Sequence, residues 1–207
     1  MADLFQSLEE RVPFAVAHCN FHLRGEESDG DEALVAEWAR KHSVPLHITS
    51  FDTEKYASEN GISIEMAARE LRYGWFASLC SQHGYKAVAV AHNAETLLLN
   101  LLRGSGLKGV TGMSLTSPLP CAPGSDALLL RPLLKCTRKQ IEGYAFAHKV
   151  RYREDSTNAM SEYKRNRLRN DVFPIFESIN PSFVRTLNRE ASYFEDVYLQ
   201  EAEELKI

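Results

Sequence analysis

One stretch of the chain decides its fold, and it runs Ala87-Val88-Ala89-Val90-Ala91-His92-Asn93-Ala94-Glu95-Thr96-Leu97-Leu98-Leu99-Asn100-Leu101-Leu102. Its first residues form a short apolar run, which is typical of a buried parallel strand. The pattern breaks at His92 and resumes at helical spacing from Glu95. In open α/β sheets ligands bind at the carboxyl ends of the strands, and a helix that starts there offers free N–H groups to phosphate. The stretch therefore predicts either a ligand site or a plain strand–helix junction capped by polar residues.

Strands and helices alternate on both sides of this stretch. Short apolar segments predict strands at residues 12–18, 44–50, 86–91 and 127–133. Helical spacing of apolar residues predicts helices between them, at residues 32–41, 64–80 and 95–102. This alternation is typical of an α/β fold with a doubly wound, parallel, Rossmann-like sheet. The proline-rich segment 116–126 is predicted to be a loop.

The pattern becomes purely helical in the last third of the chain. Thr137 and Gln140 form a capping-box pair that predicts a helix to about His148. Further helices are predicted at residues 161–173 and 181–205. The last of these has an apolar stripe, which needs a partner surface in this chain, in a second copy as a homodimer, or in a further domain. We therefore predict an α/β domain and a helical extension, over residues 1–135 and 136–207.

The composition indicates a folded protein and argues against a membrane-spanning one. Apolar residues make up 44% of the chain and charged residues 25%, which is typical of a folded globular protein. No segment approaches the roughly 20 apolar residues that a membrane span needs, and the acidic, amphipathic amino terminus is unlike a targeting peptide. The four cysteines are scattered and form no C-x-x-C pair, as in reduced proteins. We expect a cytoplasmic protein that does not bind membranes.

The net charge of −4 is distributed unevenly. Residues 131–169 contain 11 Lys or Arg against 4 Asp or Glu, whereas the remainder contains 13 against 24. Such a basic segment is typical of a polyanion site, although a solvated helix face would also explain it. On a helix Arg165 and Arg169 share a face and Arg167 lies elsewhere, and arginine binds phosphate through two donors. Two tyrosines in the segment suit single-stranded RNA, whose bases stack on aromatic rings.

Polar residues follow three of the predicted strands. His18, Asp52 and His92 are expected at one edge of the sheet, as in a nucleotide site. His22 lies four residues after His18, but in a loop this spacing sets no common face, so a metal site is the weaker interpretation. Arg24 either binds a phosphate or covers the loop.

A further basic motif lies on the predicted helix at 64–80. Arg69 and Tyr73 are four residues apart and share a face, with Arg72 on the same side. A surface ion pair between Glu65 and Arg69 is the plainer explanation for this arginine.

Six motifs in order resemble the tRNA(Ile)-lysidine synthase family of the N-type ATP pyrophosphatase, or PP-loop, superfamily. They cover about residues 12–190 and read His18-Cys19-Asn20-Phe21-His22-Leu23-Arg24-Gly25, Arg69-Glu70-Leu71-Arg72-Tyr73, Glu95-Thr96 through Leu107-Lys108-Gly109, Arg131-Pro132-Leu133-Leu134, Asp155-Ser156-Thr157-Asn158 and Arg165-Asn166-Arg167-Leu168-Arg169. One such motif would be weak, whereas six in order are specific. The resemblance implies an adenine-nucleotide alpha-hydrolase-like sheet.

Two family features differ in this sequence. The Ser-Gly-Gly-x-Asp-Ser loop that wraps pyrophosphate does not precede Met1. The family's His-x-x-Asp-Asp-x-x-Glu-Thr is shortened, so that His92 and Glu95 are three residues apart. Because both differences fall on the ATP and metal site, we expect the natural chain to contain further residues at both places.

The resemblance implies an ATP-dependent ligase that joins L-lysine to the wobble cytidine of the isoleucine tRNA with a CAU anticodon. In that family ATP adenylates the C2 oxygen of the base with release of pyrophosphate, and the ε-amine of lysine then displaces AMP. Mg²⁺ and basic groups would stabilise the phosphoryl charge, and the amine must be neutral to attack. Two alternatives stay open, a tRNA thiolase of the same superfamily, which would usually need paired cysteines, and a catalytically incomplete tRNA-binding module.

The resemblance also implies roles for individual residues. The adenine pocket would be lined by Ala17 and His18. The phosphates would lie near Arg69 and His92, which would also take part in catalysis. The metal or the attacking amine would be contacted by Glu95. The tRNA would be held by Arg24, Arg165, Arg167 and Arg169.

Overall fold

The structure is a computed structural model that describes residues 1–10, 12–96, 113–156 and 164–204. Several predictions fall outside these ranges: most of the helix at 95–102, the Leu107-Lys108-Gly109 part of one motif, and the positions Thr157, Asn158, Tyr163 and Leu205. The side chains of Arg165 and Arg169 also lie outside the description, although their backbone is included.

Helices and strands alternate in the first part of the chain. In order they are α1 (Ala2–Gln6), β1 (Val16–Asn20), α2 (Glu26–Lys41), β2 (Leu46–Ser50), α3 (Thr53–Asn60), α4 (Ile64–His83) and β3 (Ala87–Ala89). They are followed by β4 (Thr116–Pro118), β5 (Leu128–Leu130), α5 (Arg138–Ala147), α6 (Lys164–Arg167), a π-helical turn (Leu168–Val172), α7 (Phe173–Ile179) and α8 (Phe183–Glu204). The predicted α/β class with a helical carboxyl-terminal part is confirmed.

The strands pair in two sheets. β1 and β2 are parallel, with Val16 opposite Leu46 and Asn20 opposite Ser50. The others form a three-stranded sheet in the order β3-β5-β4. Each predicted strand therefore exists in a shorter form, and β1 is also shifted toward the carboxyl terminus.

β1 starts later than predicted and ends later. Pro13 has no N–H to donate to a sheet, and the ladder begins only at Val16. It continues to Asn20, which pairs with Ser50. The prediction that His18 ends the strand is wrong, because His18 lies in the middle of β1 and Asn20 is the polar end.

The loop predicted at 116–126 contains a strand at its start, so that prediction is wrong for its first three residues. β4 lies at the edge of its sheet. Pro118 is tolerated there because an edge strand can lack one N–H without losing a ladder bond. Leu119 continues the pairing by donating its N–H to the Ala127 carbonyl at 3.0 Å.

Helix ends follow the capping chemistry of the sequence. The capping box is confirmed: the Thr137 N–H donates to Gln140 Oε1 at 2.9 Å, and the Gln140 N–H donates to Thr137 Oγ1 at 3.3 Å. Ser63 caps α4 by accepting from the Met66 N–H at 3.2 Å. Gly84 ends α4 with a φ of 70°, a conformation that glycine adopts without strain.

One continuous α-helix was expected over residues 161–173, and this is wrong for the residues that the structure describes. The backbone forms α6, a π-helical turn and then α7. Pro174, in the first turn of α7, explains the change. It lacks an N–H and its ring crowds the carbonyl four residues earlier, which disrupts the regular ladder.

The last helix, α8, is buried along only part of its length. Val184 and Ala191 are buried, whereas Tyr193, Phe194 and Val197 remain about half exposed. The apolar stripe is therefore present, and its partner surface stays a prediction.

The chain packs as two compact units. The first contains Met1–Val88 and Ser117–Leu130, and the second contains Ala89–Thr116 and Arg131–Ile207. The first unit has a core built largely by α4, whose buried residues are Ala67, Tyr73, Phe76, Leu79 and Cys80. The division at residue 135 stays a prediction. Among the described helices, none is long and apolar enough to cross a membrane.

Candidate functional site

Asn20 organises the carboxyl end of β1 in the first unit. It is only 3% exposed, and its Nδ2 donates to Asp29 at 3.1 Å and to Glu32 at 3.0 Å, both on α2. Its Oδ1 accepts from the His22 N–H at 3.0 Å. Asn20 thus fixes the loop after β1 to the following helix. Sequence reasoning missed it because the strand was ended too early.

Arg24 lies in the same loop and is bound to α2. Its guanidinium contacts Asp31 at 2.7 Å and Glu27 at 3.5 Å, and its N–H donates to Ser28 Oγ at 3.2 Å. These contacts give Arg24 a structural role in holding the loop. Its expected contact with tRNA stays a prediction.

Ala17 and His18 are neighbours on β1, so their side chains face opposite sides of the sheet. Burial lowers the pKa of His18, and the carboxylates of Glu32 and Asp31 act against this shift. The imidazole is therefore neutral at pH 7. A neutral imidazole offers one donor and one acceptor, which suits contact with an uncharged base.

Two arginines of α4 surround an aromatic group. The Arg69 guanidinium carbon lies 4.8 Å from the centroid of the Tyr73 ring, which confirms their shared face. Arg72 lies 5.6 Å from the Tyr73 ring and 6.0 Å from the Phe21 ring. Its Nε is buried and has no hydrogen-bond partner among the described residues. Cation–π contacts hold both charges, and neither pairs with a carboxylate in the part of the chain that the structure describes.

Cys19 lies on β1 within the electrostatic influence of Arg72. Burial raises the pKa of its thiol to about 11, with Arg72 acting in the opposite direction. At neutral pH the sulfur is therefore protonated. Because the thiolate is the nucleophile and the metal ligand, this environment makes Cys19 unreactive.

A cavity of about 440 Å³ lies beside the carboxyl ends of β1 and β2. The rings of Phe21 and Phe51 stack there with centroids 5.7 Å apart. Asp52 also lines it and caps α3 by accepting from the Lys55 N–H at 3.1 Å. The other lining residues are His22, Leu23, Ser50, Thr53 and Glu54. The cavity combines flat apolar faces with hydrogen-bonding groups, which suits an aromatic ligand.

Glu95 lies at the start of a helical turn in the second unit, and its surroundings are fixed by backbone contacts. Its N–H donates to Asn93 Oδ1 at 3.2 Å. The preceding Ala94 is buried, its N–H donates to the Cys136 carbonyl at 3.0 Å, and its carbonyl accepts from Asn188 Nδ2 at 2.8 Å. Cys136, just before α5, and Asn188, on α8, therefore hold the residue next to Glu95 in place. Sequence reasoning missed Asn188, whose spacing gives no hint of this contact.

A second cavity, of about 220 Å³, includes Glu95 in its wall. Its charged residues are largely paired: Lys139 contacts Glu177 at 2.7 Å, and Arg138 contacts Glu142, just outside the wall, at 2.6 Å. The remaining lining residues are Thr137, Gln140, Pro181, Ser182, Val184 and Arg185. All of these residues belong to the second unit.

The motif that begins at Arg131 has a structural role in this unit. Arg131 is 9% exposed, and its Nη1 donates to the Ser114 carbonyl at 2.8 Å. Its N–H donates to the Leu115 carbonyl at 2.9 Å. This arginine therefore joins two segments of backbone, and the chain then turns into the start of α5.

The basic segment presents at least one arginine to solvent. Arg167 is exposed, and its Nε lies 4.0 Å from an Asp171 carboxylate oxygen. Its neighbours Asn166 and Leu168 are buried, at 5% and 7% exposure. Tyr152 is 59% exposed. The buried Asn166 and Leu168 anchor the helix, and the exposed Arg167 between them is available for a phosphate.

A family model described as the PP-loop domain matches residues 1–176. The chain belongs to the PP-loop family. It is also similar to tRNA(Ile)-lysidine synthase from Porphyromonas gingivalis, with 47% identity over 185 residues that cover 87% of this chain and 39% of the relative. The tRNA(Ile)-lysidine synthase from Parabacteroides distasonis is 42% identical over 201 residues, which cover 94% of this chain and 44% of the relative. The chain spans about two-fifths of the length of these curated relatives.

A solved PP-loop-type structure confirms the fold. The U34-tRNA thiolase from Methanococcus maripaludis, determined with its [4Fe-4S] cluster, gives a TM-score of 0.68 over 94% of this chain and 66% of the thiolase. The two sequences are 15% identical, so this likeness shows the fold alone.

The predicted site residues of this PP-loop chain divide between the two units. Ala17, His18, Arg24 and Arg69 belong to the first, whereas His92, Glu95, Arg165, Arg167 and Arg169 belong to the second. Among the described residues, no group of three or more His, Cys, Asp or Glu side chains could hold a metal ion. Mg²⁺ is usually bound by one or two carboxylates together with substrate phosphates and water, so Glu95 fits it as a single protein ligand.

Proposed function

We propose that this chain supplies the nucleotide-binding and catalytic part of an ATP-dependent ligase that joins L-lysine to the wobble cytidine of the isoleucine tRNA with a CAU anticodon. The observation that carries the proposal is the 47% identity over 185 residues to a tRNA(Ile)-lysidine synthase. The PP-loop family model over residues 1–176 supports the ATP-binding half of it.

The first unit would bind the nucleotide. The neutral imidazole of His18 would hydrogen-bond adenine from β1, and Ala17 would contribute to the same pocket through its backbone, since the two side chains face opposite sides of the sheet. Arg69 would meet the phosphates from the first half of α4, since its charge is held over Tyr73 and not by a carboxylate among the described residues. His92 is proposed to act near the phosphates, as the family resemblance implies.

Glu95 would act on the lysine amine or on Mg²⁺. The amine must lose a proton before it attacks C2 of the cytidine, and a fixed carboxylate can hold that proton. The backbone contacts around Ala94 and Asn93 keep Glu95 in one position. When bound, Mg²⁺ would neutralise the charge on the phosphates.

Arginines of the basic segment would hold the tRNA. Arg165, Arg167 and Arg169 would contact phosphates, and the exposed ring of Tyr152 could stack on an unpaired base. Arg24 would contribute less, because Asp31 and Glu27 already compensate its charge. We also propose a cytoplasmic location and a second copy of the chain against the apolar stripe of α8.

A tRNA thiolase of the same superfamily is the alternative function, and what supports it is the shared fold alone, with a TM-score of 0.68 to the thiolase from Methanococcus maripaludis. Two observations favour the ligase. The identity to the thiolase is 15% against 47% to the lysidine synthase. Burial also keeps the Cys19 thiol protonated, with a pKa of about 11.

Radiolabelled lysine incorporation separates the candidate functions. The complete gene product, with ATP, Mg²⁺ and a transcript of the tRNA, is expected to incorporate lysine at the wobble cytidine and to release AMP and pyrophosphate. Transfer of sulfur to the tRNA instead would support the thiolase. Binding of tRNA without either reaction would support a non-catalytic module.

A further inference from the structure

Two histidines and a tyrosine meet at the amino end of β2, in a cluster that the proposed function does not use. His47 is the second residue of β2, His83 is the last residue of α4, and Tyr85 follows the glycine that ends this helix. The ring centroids of His47 and His83 lie 4.5 Å apart. The Tyr85 ring lies 5.7 Å from His47 and 5.5 Å from His83. All three residues belong to the first unit, so the cluster joins β2 to the end of α4 within one compact body.

The separation of the two imidazoles suits a shared metal ion. Two imidazoles that bind one ion at neighbouring positions, with metal–nitrogen distances of about 2.0–2.1 Å, have ring centroids about 4.5–5 Å apart. The observed 4.5 Å between His47 and His83 lies in this range. His83 is exposed and His47 is half-buried, so an ion from solvent can reach the pair.

Tyr85 is placed to orient His47 for such an ion. The Tyr85 hydroxyl lies 2.8 Å from Nε2 of His47. When Nε2 carries the ring proton, it donates to this hydroxyl and leaves a lone pair on Nδ1, and metal-bound histidines are commonly oriented in this way. Burial lowers the pKa of His47, and the nearby His83 acts in the same direction. The imidazole is therefore neutral at pH 7, as metal binding requires.

The end of α4 adds a favourable charge. His83 lies in the last turn of this 20-residue helix, where the backbone carbonyls create a partial negative charge that attracts cations. The ligand chemistry narrows the choice of cation. Imidazole suits Zn²⁺, Cu²⁺ and Ni²⁺, whereas Mg²⁺ prefers oxygen ligands. A divalent transition-metal ion is therefore the ligand that fits the pair.

We propose that His47 and His83 together bind a divalent transition-metal ion such as Zn²⁺, and that Tyr85 orients His47 for it. Among the described residues, no third His, Cys, Asp or Glu side chain completes the pair. Water would fill the remaining positions, and the ion would exchange with solvent, unlike zinc held by three or four protein ligands. When bound, it would link β2 to α4 and stabilise the folded first unit. The site is independent of the proposed ligase activity and of Mg²⁺ beside Glu95.

Isothermal titration of the 207-residue chain with Zn²⁺ tests the proposal. All proteins carry Cys121→Ser, because the exposed Cys121 thiol is a competing zinc ligand. We expect one saturable site that is weakened about tenfold in Tyr85→Phe, since losing the partner of a metal-bound histidine changes affinity about 10–100-fold. His83→Gln and His47→Gln should weaken the site more than Tyr85→Phe does, because each removes one of the two ligands.

His42→Gln is the matched control. His42 is also half-buried and stacked, but its ring lies on Trp38 with centroids 4.3 Å apart and not on a second histidine. This variant should keep the full affinity for Zn²⁺. Long-range ¹H–¹⁵N NMR spectra should show Zn²⁺-dependent shifts of the imidazole nitrogens of His47 and His83, and none for His42.

Thermal melts give a second measurement that does not depend on the strand variant. Zn²⁺ should raise the Tm of the parent protein and of His42→Gln, and leave that of His83→Gln unchanged, because His83 is an exposed residue at a helix end. Excess Mg²⁺ should not displace the bound Zn²⁺. Equal Zn²⁺ affinity in His83→Gln and His42→Gln, no saturable binding, or displacement by Mg²⁺ would each overturn the site.

Discussion

Replacing Asn20 by alanine tests whether the end of β1 is built as the structure shows. The variant loses two donor contacts, to Asp29 at 3.1 Å and to Glu32 at 3.0 Å, at a position that is 3% exposed. Hydrogen bonds to charged groups contribute about 1.5–3 kcal/mol each. Water can reach the two partly exposed carboxylates and recover part of that sum. We expect Asn20→Ala to lower the free energy of unfolding by about 2–3 kcal/mol.

Urea unfolding followed by circular dichroism, together with thermal melts, measures this loss. For a chain of this length the expected shift in Tm is about 4–12 °C, and the urea m-value should stay unchanged. Asn60→Ala is the matched control, since its Nδ2 donates to the Tyr56 carbonyl at 2.9 Å on an exposed helix face. That variant should lose under about 1 kcal/mol. Equal losses in the two variants would refute the assigned role of Asn20.

Three further predictions concern the candidate site. The double change Arg165→Ala and Arg169→Ala should weaken tRNA binding and reduce the slope of log K against log salt by about 1–2 in filter binding, because each phosphate contact contributes about 0.9 to that slope. Glu95→Gln in the complete protein should lower kcat for lysine incorporation by about 10² or more, while a thermal melt shows a loss of no more than about 1 kcal/mol. His18→Gln should make the free energy of unfolding less dependent on pH between 7 and 5. Because the pKa of His18 is lowered in the folded state, the neutral imidazole contributes stability above the unfolded-state pKa near 6.5. This stability is lost as the pH falls through the folded-state pKa.

Each of these has an outcome that would contradict it. An unchanged salt slope would mean that the basic segment is only a solvated surface, and Arg40→Ala on α2 provides a control outside that segment. Full incorporation by Glu95→Gln would remove Glu95 from the mechanism. For His18, the pKa of His47 is also lowered by burial, so the curve should become shallower and not flat. Identical curves for His18→Gln and wild type would show that His18 makes no contribution.

The sequence predicted features that depend on neighbours along the chain. The capping box of Thr137 and Gln140 is local chemistry, and the structure contains it. The shared face of Arg69 and Tyr73 follows from helical spacing, and their 4.8 Å contact confirms it. Short apolar runs predicted four strands, and the structure contains all four with fewer residues than predicted.

Features that depend on tertiary contacts could not be predicted from the sequence. Asn20 looks like a loop residue, yet it belongs to a strand because Ser50 pairs with it. Pro118 argues against a strand unless the strand is known to lie at an edge. Asn188 reaches Ala94 across 94 positions of sequence, which no periodicity reveals. The cavity around Arg185 likewise assembles from four separate segments of the second unit.

The proposed lysine ligation is tested most directly by incorporation of radiolabelled lysine into a transcript of the isoleucine tRNA with a CAU anticodon. The assay uses the complete gene product with ATP and Mg²⁺ present. We expect one lysine per tRNA, attached at the wobble cytidine, with AMP and pyrophosphate released in equal amounts. No incorporation is expected when that cytidine is replaced by uridine. A complete wild-type protein that binds the tRNA and ATP but attaches no lysine would show that the protein is not a lysine ligase.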